Sequence, residues 1–156
     1  MKMKAFITLF AAALVLLCNT AVRAADGAAL GETAKSVLDH YLKIQTQLTK
    51  DSIKGLDAQA AAIAKAVRND ETKTLAPEVA KEADTLAKAK DLAAAREAFK
   101  PLSASLIKYL ADNKTGKGVY HQAYCPMANA SWLQTGKDIR NPYMGKDMLD
   151  CGELKD

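Results

Sequence analysis

The sequence predicts an all-α fold, and three observations predict it. Residues 25–115 are rich in Ala, Lys, Leu and Asp and poor in Gly and Pro. Apolar residues recur there at three- and four-residue steps in four separate stretches, the spacing of one helix face. The connections between the stretches are short, which favours antiparallel neighbours. The expected architecture is a four-helix up-down bundle, with an irregular C-terminal Cys/Met segment packed on it.

Residues 1–24 read as a signal peptide. Lys2 and Lys4 supply a charged start, Ala5 to Leu17 is an uncharged apolar run, and Val22-Arg23-Ala24 offers small or β-branched residues before a cut after Ala24. The run is shorter than the ~20 residues that span a bilayer, so no stable membrane span is expected after cleavage. Residues 25–156 then form a single domain, with 31–112 as helical bundle and 116–152 as Cys/Met-rich segment. A periplasmic or secreted location follows. Removing Lys2, Lys4 and Arg23 takes the net charge from +4 to +1, with 19 basic against 18 acidic side chains. No basic patch with interleaved aromatics remains, so nucleic acid is not expected as a partner.

The first helix should run from about Gly31 to Thr49, with Val37, Leu38, Tyr41, Ile44 and Leu48 on one face. The second should start at Asp51 or Ser52, either of which can cap it. Its stripe is Ile53, Leu56, Ala60, Ile63 and Val67. The third opens with Pro77, whose missing amide costs nothing at a first helical position. The fourth starts near Asp91 and carries Leu92, Ala95, Phe99, Leu102, Leu106 and Leu110. Pro101 inside it should kink or break it. His40, without a ligand partner at helical spacing, reads as structural. Each helix owns its stripe, so the helical half is expected to keep much of its helix without residues 116–156.

From Lys114 onward the alanine periodicity stops. This stretch holds the only tryptophan, Cys125, Cys151 and every methionine after residue 24. Cys125-Pro126-Met127 places two sulfur side chains either side of a rigid proline, and in an extended stretch both face one side. Met148 and Cys151 are three apart, on one face of a helical turn. His121 stands four residues before Cys125. Thiolates and thioethers together suit Cu(I), and by extension Ag(I). Zinc makes little use of thioether, and calcium and magnesium want oxygen.

Tyr120-His121, Cys125-Pro126-Met127-Ala128, Trp132-Leu133-Gln134, Ile139-Arg140-Asn141-Pro142-Tyr143, Gly145, Met148-Leu149 and Cys151-Gly152 follow one another in order. In these residues, and in Asp91-Leu92, Arg96, Phe99 and Leu102-Ser103, the chain resembles an uncharacterised exported domain family. That family is also found fused to periplasmic adaptor subunits of heavy-metal (copper/silver) efflux pumps. The resemblance implies a helical fold and a part in copper or silver handling, with an efflux adaptor as partner. The ligands it carries over are Cys125, Met127, Met148 and Cys151, with His121 as a fifth. The sequence departs from the family at Met144, where an aromatic residue is favoured, and by one extra residue between His121 and Cys125.

The leading function is thus periplasmic binding of monovalent copper or silver, for buffering or for delivery to efflux. The alternative is a structural or protein-interaction module stapled by a Cys125–Cys151 disulfide, which would stabilise it by roughly 3 kcal/mol. Met127, Met144 and Met148 could then be gap-fillers. No enzyme is expected: Cys125 with His121 has no third orienting residue, Cys-Pro-Met is not Cys-x-x-Cys, and there is no glycine-rich phosphate loop.

Overall fold

The structure, a computed structural model, describes residues 30–155. The signal peptide expected at residues 1–24 lies outside them. Four helices come first: α1 (Glu32–Leu48), α2 (Leu56–Arg68), α3 (Pro77–Ala87) and α4 (Leu92–Asp112). None of the described helices is long and apolar enough to cross a membrane. The predicted stripe of α1 is buried in full: Val37, Leu38, Tyr41, Ile44 and Leu48. Pro77 stands at the start of α3, and Asp91 caps α4 by accepting the Ala94 amide at 2.8 Å.

Two local expectations are corrected. The α2 helix starts at Leu56, because Gly55 turns the chain through φ 72° just before it. The α4 helix neither ends nor restarts at Pro101 but runs through it from Leu92 to Asp112. Pro101 is exposed, so the carbonyl left without its helical partner can be solvated.

The all-α expectation, a four-helix up-down bundle with an irregular tail, is wrong for the C-terminal half. Residues after α4 form a three-stranded antiparallel sheet of β1 (His121–Cys125), β2 (Ala130–Gln134) and β3 (Glu153–Leu154), in the order β2-β1-β3. Cys125 pairs with Ala130 and His121 with Gln134. Ala123 pairs with Leu154 and Tyr124 with Glu153. Pro126–Asn129 is therefore the loop of a hairpin. It closes with an Asn129 amide to Pro126 carbonyl bond of 3.2 Å, and Asn129 takes φ 45°, a left-handed conformation asparagine tolerates. The fold is mixed α and β.

The helices pack in chain order, α1 on α2, α2 on α3 and α3 on α4, and β2 lies against α4 and also touches α1. The outer edge of β2 is closed by aromatic hydroxyls from the core. Tyr41 Oη accepts the Leu133 amide at 3.0 Å, and Tyr143 Oη donates to the Ser131 carbonyl at 2.7 Å. Both hydroxyls meet Ser103 Oγ on α4, at 2.8 and 3.2 Å. Around this polar knot Tyr41 stacks on Phe99, and Tyr143 meets Phe99 and the edge of Trp132. Trp132, Tyr41 and Phe99 are all fully buried. A buried large apolar side chain of this kind contributes about 1.5–3 kcal/mol.

Candidate thiol site

β1 ends at Cys125 and enters the hairpin loop, so its sulfur sits at the start of a tight turn. β3 returns beside β1, and its pairing of Glu153 with Tyr124 carries the preceding residues back to Cys125. Gly152 makes that return possible. It takes φ 137°, and a Cβ there would stand 2.8 Å from the Tyr124 carbonyl and 2.9 Å from the Trp132 ring. The result is that Cys125 Sγ and Cys151 Sγ approach to 2.8 Å. Cys125 is fully buried and Cys151 half-buried; both are free thiols.

The two sulfurs are not equivalent. Burial pushes the Cys125 thiol up, but hydrogen bonds from Cys151, the Ala128 amide, the Asn141 side chain and the Met127 amide outweigh it and hold its pKa below the usual thiol value. The thiol of Cys151 is pushed up, first because it donates to Cys125, then by burial and by the negative charges at Cys125 and Asp150. Of the two, Cys125 is thus the sulfur that gives up its proton more readily, and Cys151 the one that keeps it. Asn141, fully buried, holds the arrangement. Its amide nitrogen donates to the Cys151 carbonyl at 2.6 Å and toward Cys125. Its oxygen accepts the Tyr143 and Met144 amides at 2.8 and 3.1 Å.

The methionines divide. Met127 projects from the hairpin loop and is 63% exposed, and Met148 is 38% exposed at the end of the 3-10 turn Gly145–Met148. Neither fills a gap in the core. Met144 is partly buried against the core. It lines one cavity of about 510 Å³ together with Met127 and Ala128. His121 stands at the far end of β1, four residues and so about 13 Å along the strand from Cys125. The strand does not bring it to the sulfur pair. His40 is hydrogen-bonded to Gln59 at 2.8 Å. Among the described residues no three His, Cys, Asp or Glu side chains are gathered to hold a metal ion.

Residues 37–118 match DUF3347, a family of proteins of unknown function. The match covers more than half of the 156 residues. The chain belongs to that family. No curated protein and no solved structure matches it. The DUF3347 stretch runs from within α1 to just before β1, so Cys125, Met127, Met148 and Cys151 lie beyond it.

Arg96, inside the DUF3347 stretch, ties the two parts together. Its Nε donates to the Pro142 carbonyl at 2.9 Å. Its Nη2 donates to the Leu48 carbonyl at 3.3 Å and to Asp51 Oδ1 at 2.6 Å. Asp51 Oδ2 in turn accepts the Lys146 amide at 3.3 Å. Gly145 takes φ 59°, and a side chain there would collide with Asp51 and Arg96. The segment that carries Met144, Met148 and Cys151 is thereby clamped to the ends of α1 and α4. Sequence reasoning picked out Arg96 and Asn141 only as members of a motif. Asp51, seen as a helix cap, gave no sign of its ion pair, because its partner is 45 residues away.

Proposed function

We propose that this DUF3347 protein binds Cu(I) or Ag(I) at the Cys125–Cys151 pair, for buffering in the periplasm or for delivery to a heavy-metal efflux adaptor. The observation that carries the reading is the contact of the two sulfurs at 2.8 Å, with the Cys125 thiol held below its ordinary pKa. An ionised thiol is the charged ligand a soft monovalent cation needs, and Met148, three residues before Cys151 and partly exposed, offers a thioether in the same segment. Zinc fits this donor set poorly, since it is almost always held by four thiolate, imidazole or carboxylate ligands. Binding rather than catalysis is also favoured, because the length of β1 separates Cys125 from the one histidine that could serve it as a base.

Sulfurs at 2.8 Å are closer than two thiolates sharing one ion. At a metal–sulfur bond of ~2.3 Å and a tetrahedral angle they stand about 3.8 Å apart. Uptake therefore requires Cys151, the more accessible partner, to move outward. The same closeness favours the second reading, a disulfide between Cys125 and Cys151, and the two states can alternate: oxidised without metal, reduced with it.

Titration of the reduced protein with Cu(I) against a competing chelator separates the readings. Uptake of about one Cu(I) is expected, with Cys125→Ser and Cys151→Ser abolishing it and Met148→Leu weakening it. A reduced protein that cannot draw copper from a chelator of modest affinity leaves only the stapled module.

A further inference from the structure

We infer that Met127 and Met144 form a separate thioether docking site, where an incoming Cu(I) or Ag(I) is held before it reaches the cysteine pair. The inference rests on the soft-cation reading above and names the residues through which the cation enters. Three observations carry it. Met127 and Met144 line the same open cavity of about 510 Å³, and Met148 is not part of its lining. Met127 leaves 63% of its surface in solvent, so an incoming ion can reach it. The cavity also lies beside the cysteine turn: Met127 and Ala128, in the hairpin loop that directly follows Cys125, line it.

Charge in the cavity does not oppose a cation. Its charged lining residues are Arg96, Glu97 and Lys100. Lys100 is paired with Glu97 at 2.7 Å, and Arg96 with Asp51 at 2.6 Å. Neutral thioethers then select on softness, since a monovalent soft ion gains more from sulfur than a hard divalent one. The two methionines are placed differently for the task. Met127 stands exposed on the hairpin loop, whereas the Met144 amide is fixed to Asn141 Oδ1 at 3.1 Å. One ligand open to solvent and one anchored make a site that an ion can reach from outside.

The test uses the full chain carrying Cys18→Ser, Cys125→Ser and Cys151→Ser, which removes every thiol, with its methionine methyl groups labelled for NMR. On addition of silver nitrate the Met127 and Met144 methyl signals should move together and saturate near one equivalent, ahead of Met148. Adding Met144→Leu should weaken the Met127 response at least tenfold. Equal responses of Met127, Met144 and Met148, or a Met127 response indifferent to Met144→Leu, overturns the docking site. A second arm uses the thiol-containing chain, so the proposal stays exposed to refutation if the thiol-free variant does not fold. There Met144→Leu should slow silver capture by the thiolate, followed by its ultraviolet absorbance, at least threefold without changing the final stoichiometry. An unchanged rate refutes the entry role. Failure of the cysteine site is read separately, as a loss of final stoichiometry in the unsubstituted chain.

Discussion

Asn141 accepts the Tyr143 and Met144 amides and donates to the Cys151 carbonyl, and it also helps to lower the Cys125 pKa, behind Cys151 and the Ala128 amide. A single buried amide thus fixes the turn before the 3-10 helix and adds to the lowering of the Cys125 pKa. Asn141→Asp keeps the acceptor but replaces the donors with a negative charge. It should raise the pH at which thiolate absorbance appears in the reduced protein. An onset at the same or lower pH removes Asn141 from the role given to it. The linkage has a defined sign. The folded-state pKa of Cys125 lies below the ordinary thiol value, so between the two the unfolded chain holds more protons, and the Cys125 contribution to stability grows as pH rises through that window. It is lost as pH falls through the folded-state value, and Asn141→Asp should shrink it.

The element that decides the fold is β2. It is an edge strand, and an edge strand carries backbone groups with no ladder partner. Tyr41 and Tyr143 supply the partners, so the strand is joined to α1 and α4 through side chains. Tyr41→Phe removes the acceptor of the Leu133 amide and one partner of Ser103 while changing the apolar volume little. Leaving buried polar groups unsatisfied costs about 1–3 kcal/mol. That loss should appear in urea unfolding, together with faster exchange of the Leu133 amide. Tyr124→Phe makes the control, because its hydroxyl bonds Asn129 at an exposed position, and a change within about 0.5 kcal/mol is expected there. Equal effects of the two substitutions would deny the Tyr41 hydroxyl its part in closing the sheet edge.

For the whole molecule, the sheet is part of the core of the helical half. Tyr41 on α1, Phe99 on α4, Trp132 on β2 and the loop residue Tyr143 share one aromatic cluster. Removing residues 116–156 strips Trp132, Leu133 and Tyr143 from this face and exposes Tyr41 and Phe99. The truncated chain should retain helix by circular dichroism at low temperature yet lose the sharp thermal transition of the full chain. A transition as sharp and as high as that of the full chain would show that the helices need only each other. The expectation that each helical stripe suffices alone overlooks that the stripes of α1 and α4 point partly at β2.

The four helices were legible in the sequence because a periodic apolar face is a local signal: Val37, Leu38, Tyr41, Ile44 and Leu48 are buried together as their spacing requires. So were the start of α4 near Asp91 and the start of α3 at Pro77, which depend on a few neighbouring residues. The convergence of Cys125 and Cys151 was legible as a pair, either ligands of one ion or a disulfide, because they are the two cysteines left after residue 24. Strands of five, five and two residues were not legible. Their alternation is broken, since Trp132 and Leu133 are both buried, one against Gly152 and one lining a second cavity with Ile107, Leu110 and Tyr120. A strand buried on both faces loses the period of two that would announce it. Tertiary structure alone decided that β3 returns beside β1, that Met144 shares a cavity with Met127, and that His121 is carried away from the sulfurs. The first depends on backbone pairing between residues far apart in the chain, the second on the packing of two loops, and the third on the extension of β1, and no local periodicity records any of them.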